Sequence, residues 1–270
     1  MLTRPCRLLI DALKRHKVPA TGFLQGGMVS DGEKFFPVRK EIARMWIDAG
    51  FEVGLGGFKH LKLYDTPVNE YIANIEKNET IAKQLIGDMG LPPRYFSYPY
   101  LNTGKTAADR ETVEKWLASR GYTPVKYTID NQEWMYSYAY DMAREDNDVN
   151  TMKEVRSAYL AYISKMFDLY ESYSQEMFGR DIPQTMVLTS SRLVTDTADD
   201  FFAMLDKRSY SYVSVDKAQS DEAYKTTEDF TGNAGISWFE RWAMAKKLPL
   251  KQEPEVDANV ARTWETRSKK

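Results

Sequence analysis

Along the first half of the chain, apolar residues alternate between helical stripes and short unbroken runs. Arg7 to Lys17 carries Leu9, Ile10 and Leu13 on one stripe, and Pro19 closes it ahead of the strand-like ATGFL. His16, at the end of that helix, is placed to cap its last carbonyls. Val38 to Ala49 repeats the stripe, Gly50 ends it, and FEVGLGG follows as a second strand. Thr66 as N-cap and Pro67 at the first helical position open a third helix, striped by Val68, Tyr71, Ile75, Ala82, Leu85 and Ile86 up to Gly90. RYFSYPY then reads as a strand, Arg110 to Ser119 as a helix and YTPVKYTID as another strand.

From Ser137 to Phe178 one long helical stretch carries Met152, Val155, Tyr159, Tyr162, Ile163, Met166, Tyr170, Tyr173 and Met177 at spacings of three and four, and Gly179 stops it. Its tyrosine and methionine stripe is expected to be core. Beyond it, TMVLTSS and YSYVSVDKA predict strands, TDTADDFFAMLDKR and ISWFERWAMAKKL predict helices, and the residues past Gln252 predict a charged, frayed end. Strands alternating with helices imply a parallel sheet, and about six such units predict an α/β fold of the distorted (β/α) barrel type. The expected organisation is one domain over residues 1–250 with a charged tail at 251–270.

Composition narrows the partners. The 37 basic and 39 acidic residues nearly cancel, so the chain shows no electrostatic footprint for nucleic acid or an anionic membrane. No apolar run reaches membrane-span length, and the N-terminal residues are too broken by charge for a signal-peptide core, which leaves the compartment open. The single cysteine, Cys6, rules out an internal disulfide and a cysteine-based zinc cluster. With only two histidines, His16 and His60, a two-histidine metal site would need both. GLGGF lacks the residues that complete either glycine-rich nucleotide motif.

Five segments in order resemble the polysaccharide deacetylase family, the NodB-homology domains of carbohydrate esterase family four, over about residues 7 to 245. LLIDALKRHKVPATGFLQG is similar to the family's helix and second strand, and AGFEVGLGGFKH to its histidine motif. RYFSYPYLNTG is similar to its arginine–proline–tyrosine groove motif, TIDNQEWMYS to its aspartate–tryptophan motif, and EMFGRDIPQTMVLTSSRL to its final histidine strand. The resemblance implies a barrel of that family's type, here without its first strand, because the family's aspartate pair would fall before Met1.

In the family one aspartate and two histidines hold a divalent metal, and a second aspartate and a late histidine act as base and acid. The metal polarises the acyl carbonyl and acidifies water. On this chain the first histidine falls at Gly56 and the second at His60, the late histidine at Thr189 or Ser190, and the groove arginine at Ser97. The resemblance therefore leaves His60 as a residual metal position. A divalent metal such as zinc is implied by the resemblance alone, and the residues themselves call for no cofactor.

By residue type and spacing, Asp130 with Glu133 forms a carboxylate pair suited to acid and base work, against the plainer role of bonding a neighbouring loop's backbone. Pro99, Tyr100, Trp134 and Ser190 are expected to line a groove at the strand ends, where aromatic faces stack on sugar rings, although tyrosine alternation also suits ordinary packing. The leading expectation is a deacetylase-like protein that has lost metal-dependent deacetylation and keeps a groove for a glycan or small acylated ligand, with at most weak hydrolase activity. Two readings stay open beside it: an active hydrolase of amide or ester bonds in acetylated carbohydrates, and a structural or partner-binding domain whose open sheet edge forms a homo-oligomer.

Overall fold

A computed structural model of the chain describes residues 3–87 and 92–268. Its first half is a run of helix and strand units: α1 (Thr3–Arg15), β1 (Thr21–Leu24), α2 (Gly26–Val29), α3 (Pro37–Asp48), β2 (Glu52–Leu55), α4 (Val68–Ile86), β3 (Tyr95–Phe96), α5 (Ala107–Ser119) and β4 (Thr123–Pro124). The four strands make one parallel sheet in the order β1-β2-β3-β4, with Gly22 opposite Val53, Leu55 opposite Phe96 and Tyr95 opposite Thr123. An α/β fold with a parallel sheet is what the alternating pattern predicts. The sheet is open, and past β4 the described residues add an isolated parallel bridge between Ile129 and Met186.

The second half is helical: α6 (Glu133–Glu145), α7 (Val149–Phe178), α8 (Arg192–Lys207), α9 (Val215–Gln219), α10 (Trp238–Ala245) and α11 (Ala258–Arg267). Two apolar cores flank the sheet. One holds Leu55, Tyr71, Ile75, Leu85, Phe96, Val113 and Leu117 between the strands and α4 and α5. The other gathers Ile129, Tyr159, Ile163, Met166, Tyr170, Phe202, Phe239 and Trp242 around α7, so the tyrosine and methionine stripe is core as its spacing implied. Among the described residues no helix is long and apolar enough to cross a membrane.

Several boundaries differ from the sequence pattern for local reasons. The long helix breaks at 146–148, where Asn147 turns to φ +58° and the Asp148 side chain accepts from the Thr151 N–H, restarting the helix as α7. Thr66 does not cap α4; its hydroxyl bonds the Lys62 carbonyl at 2.8 Å and Pro67 stands at the cap. The stop expected at Gly90 lies outside the described residues. Residues 210–218 form no strand, because Tyr212 packs edge-on against Phe202 at 5.9 Å and the Ser214 hydroxyl caps α9. Only Met186 of TMVLTSS makes a bridge. His16 bonds Asp199 of α8 at 3.2 Å and not the carbonyls of its own helix. In place of a frayed end, Asp257 caps α11, and Val260 is buried at 1% exposure.

A candidate ligand groove

β2 ends at Leu55, and its backbone runs on through Gly56, whose N–H still donates to the Leu24 carbonyl at 2.9 Å. Gly57 then turns with φ +85°, a conformation that costs a glycine little, and delivers the chain to His60. Beyond β3, Pro99 is buried, and Tyr100 and Leu101 both adopt the left-handed region, with φ +57° and +52°. Two successive non-glycine residues there are strained, and such strain persists only where the surroundings over-determine it.

The surroundings do so here. The Arg241 guanidinium donates to the Leu101 carbonyl and to the Thr103 hydroxyl at 2.8 Å, and Asn102 donates to the Gly232 carbonyl at 2.9 Å and accepts from the Tyr64 N–H at 2.9 Å. Gly235 completes the clamp, since any Cβ there would sit 1.6 Å from the Tyr100 carbonyl oxygen. The result presents the Tyr100 ring 54% exposed, with its centroid 4.3 Å from that of His60. Burial pulls the His60 imidazole below its ordinary pKa, which favours the neutral ring.

On the opposite segment, Asp130 stands at the end of the Ile129 bridge and its carboxylate accepts from the Asn131 N–H at 2.8 Å. Burial is the main cause that pushes Asp130 up to about 6, Glu240 adds to it, and the Asn131 bond and Arg241 oppose it. Glu253 is pushed up to about 7, again by burial first and then by Glu240 and Asp130. The folded state thus holds these protons more tightly than the unfolded chain, giving stability that is present below 3.8 for Asp130 and lost as the pH rises through about 6. Asp130→Asn is accordingly expected to gain melting temperature relative to the parent as the pH is raised from 4 to 8, and a difference that does not change with pH contradicts this.

Glu133 opens α6 and is 3% exposed. It accepts from the Thr189 hydroxyl at 2.5 Å, the Thr189 N–H at 3.2 Å, the Ser191 hydroxyl at 2.9 Å and the Ser137 hydroxyl. Both of its oxygens are thereby engaged in tying α6 to the 189–191 segment, and Thr189, where the family's late histidine would fall, spends its hydroxyl on the same tie. Trp134 is 43% exposed; its indole N–H donates to the Gln132 side chain at 2.9 Å, and Trp264 of α11 meets its ring edge-on at 4.7 Å.

His60, Pro99, Tyr100, Asp130, Glu133, Trp134 and Ser190 all line one cavity. Sequence reasoning missed Asn102, Arg241, Glu253 and Trp264. The readable signal near them is the Ser237 to Glu240 capping box at the start of α10, which places Glu240 but not its electrostatic partner Asp130. Among the described residues no three His, Cys, Asp or Glu side chains form a group able to hold a metal ion. The described residues therefore do not fit the family's divalent metal, and His60 meets an aromatic ring where a ligand set would need further donors.

Residues 4–121 match the family model described as polysaccharide deacetylase. The same architecture recurs in a Bacillus anthracis CE4 family pseudoenzyme, with 17% identity, a TM-score of 0.51, and coverage of 80% of this chain and 60% of that one. A mutant of that pseudoenzyme aligns at 18% identity and a TM-score of 0.54, and this chain spans 62% of its length. A family 4 carbohydrate esterase from Streptomyces lividans aligns at 18% identity and a TM-score of 0.51, over 79% of this chain and 88% of that one. The peptidoglycan deacetylase PdaC of Bacillus subtilis aligns at 17% identity and 0.50, over 82% and 86%. Comparison with curated protein sequences gives no match. At these identities the structures speak for the fold, and the family match bears out the resemblance over residues 4–121, the stretch that holds the first three of the resembling segments.

Proposed function

We propose that this chain binds a glycan or a small acylated ligand across the rim formed by Tyr100, Trp134, Asp130 and Ser190, and that it has lost metal-dependent deacetylation. The observation that supports this most is the pair of exposed rings, Tyr100 and Trp134, each braced from behind, by His60 and Trp264 respectively, at the mouth of a single cavity. Rings held in one orientation lose little entropy when a sugar's C–H face stacks on them. Gly56 and Thr189 stand where the resemblance puts two histidines, and Glu133 is tied up by hydroxyls, so in this reading it supports the rim and does no proton transfer.

A second reading is favoured by one observation. A carboxyl held at about 6 beside a cavity suits general acid or base work near neutrality, so Asp130 is the residue that would carry a hydrolase activity on amide or ester bonds. The two readings separate in a calorimetric titration with an acetylated chitooligosaccharide. Ligand binding is expected to be the same with a chelator as with added zinc and without acetate release, whereas acetate released by the parent and lost in Asp130→Asn would favour the second reading. Binding that appears only with metal overturns the proposal.

A further inference from the structure

We propose that residues 248–257 together with α11 form a pH-operated latch. A carboxyl cluster that this segment completes holds it down while protonated, and loss of the proton raises the population in which the segment is released, along with the ring that braces Trp134. Three separate parts of the chain supply the cluster. Glu240 is fixed in the first turn of α10, where its carboxylate accepts from the Ser237 N–H at 2.8 Å. The Trp238 N–H donates to the Tyr127 carbonyl at 2.8 Å, which brings that same turn alongside the segment ending in Asp130. Glu253 arrives two residues past Lys251, whose N–H donates to the Tyr173 hydroxyl at 2.7 Å, and the Tyr173 ring stacks on Phe239 of α10 at 6.0 Å.

The cations beside the cluster are engaged elsewhere. Arg241 serves the Leu101 and Ile236 carbonyls, the Thr103 hydroxyl and Glu228, and Lys251 pairs with Glu176 of α7 at 2.6 Å. From α7, Tyr162, Tyr170 and Tyr173 face the carboxyls, and burial first pushes all three phenols up, so they stay neutral. From α6 the segment meets the Tyr136 hydroxyl, which accepts from the Asp257 N–H at 3.1 Å. Glu253 thus docks against two like charges and neutral rings, with Arg241 acting on Asp130 from the far side.

Of the three carboxyls, Glu253 alone rides on the segment that moves. Released into water it ionises near the ordinary 4.5, whereas docked it is pushed up to about 7. Docking therefore has this support in full below 4.5 and loses it as the pH rises through about 7. The anchors that oppose release are the Lys251 and Asp257 amides, the Lys251–Glu176 and Arg267–Asp146 pairs and the buried Val260. Trp264 leaves with α11, so Trp134 and Tyr138 lose the ring they meet edge-on at 4.7 and 5.1 Å. The latch does not depend on what the groove binds.

The test is residue-resolved amide exchange in the full chain at pH 5 and pH 8, each rate divided by the intrinsic rate at that pH. By this measure Lys251, Asp257 and Val260 are expected to exchange about tenfold or more faster at pH 8. Ile163, fully buried in the middle of α7, is expected to keep its protection, which separates release from global unfolding. Glu253→Gln is expected to abolish the rise, and Asp130→Asn to shrink it by removing one of the charges that Glu253 faces. A flat ratio in the parent, a rise kept in full by Glu253→Gln, or a rise shared by Ile163 overturns the proposal. Should Glu253→Gln fail to dock at either pH, Asp130→Asn decides, and a rise it leaves undiminished overturns the latch.

Discussion

Arg241→Met lowers the folding free energy by about 3 to 5 kcal/mol, the range for breaking a buried ion pair from one side. Arg241 is 1% exposed, and its guanidinium serves the Leu101 carbonyl, the Thr103 hydroxyl and the Ile236 carbonyl while lying 3.7 Å from Glu228. Its plane also lies 4.2 Å from the Trp238 ring centroid. Methionine fills the space but abandons those acceptors and leaves buried Glu228 with Arg110 as its remaining cation. Arg241→Lys keeps the charge yet loses the planar fork, so it is expected to recover only part of the loss. Urea unfolding of the three proteins measures this, and a loss below about 1 kcal/mol for the methionine variant contradicts the clamp. Because the same guanidinium holds the strained Tyr100–Leu101 turn, ligand affinity is expected to fall as well, even under conditions where the variant is folded.

Trp134→Ala weakens glycan binding at least tenfold, which corresponds to about 1.4 kcal/mol of lost stacking and apolar contact. The ring is 43% exposed at the cavity mouth, so its removal leaves little unsatisfied inside the fold. Trp264→Ala removes the brace and leaves the stacking face, so a smaller loss of about threefold is expected from looser ring orientation. Titration of both variants with the acetylated chitooligosaccharide, alongside circular dichroism, separates binding from folding. Affinity unaffected by Trp134→Ala would mean that the ring is ordinary surface.

Much of the helical frame is legible because each signal is local. Gly179 ends α7 in the left-handed conformation at φ +66°, and α4 follows its stripe from Val68 to Ile86. The strands are less legible, since sheet length depends on neighbours: β3 pairs only through Tyr95 and Phe96 before the chain turns at Pro99. The tyrosines at 210 and 212 alternate as a strand would, yet their partners are Phe167 and Phe202 on α7 and α8.

The site divides along the same line. Tyr100 and Trp134 sit in contiguous motifs and could be named from the sequence. What holds them arrives from far along the chain: Arg241 reaches Leu101 across 140 positions, Asn102 reaches Gly232 across 130, and Trp264 comes from a helix that its charged surroundings disguise as a tail. No periodicity within a window of a dozen residues carries such contacts. Glu133 illustrates the converse, because its residue type suggests chemistry while nothing in its neighbourhood along the chain reveals the hydroxyls it bonds, those of Ser137, Thr189 and Ser191.

Acetate release decides whether metal-dependent deacetylation has been lost from the proposed ligand groove. The full chain is incubated with acetylated chitooligosaccharide and with a simple acetyl ester, with and without added zinc or cobalt. No release that depends on metal is expected, in a protein that still binds the oligosaccharide. Release that rises with metal contradicts that loss, and would mean that side chains other than a three-residue His, Cys, Asp or Glu group recruit the ion.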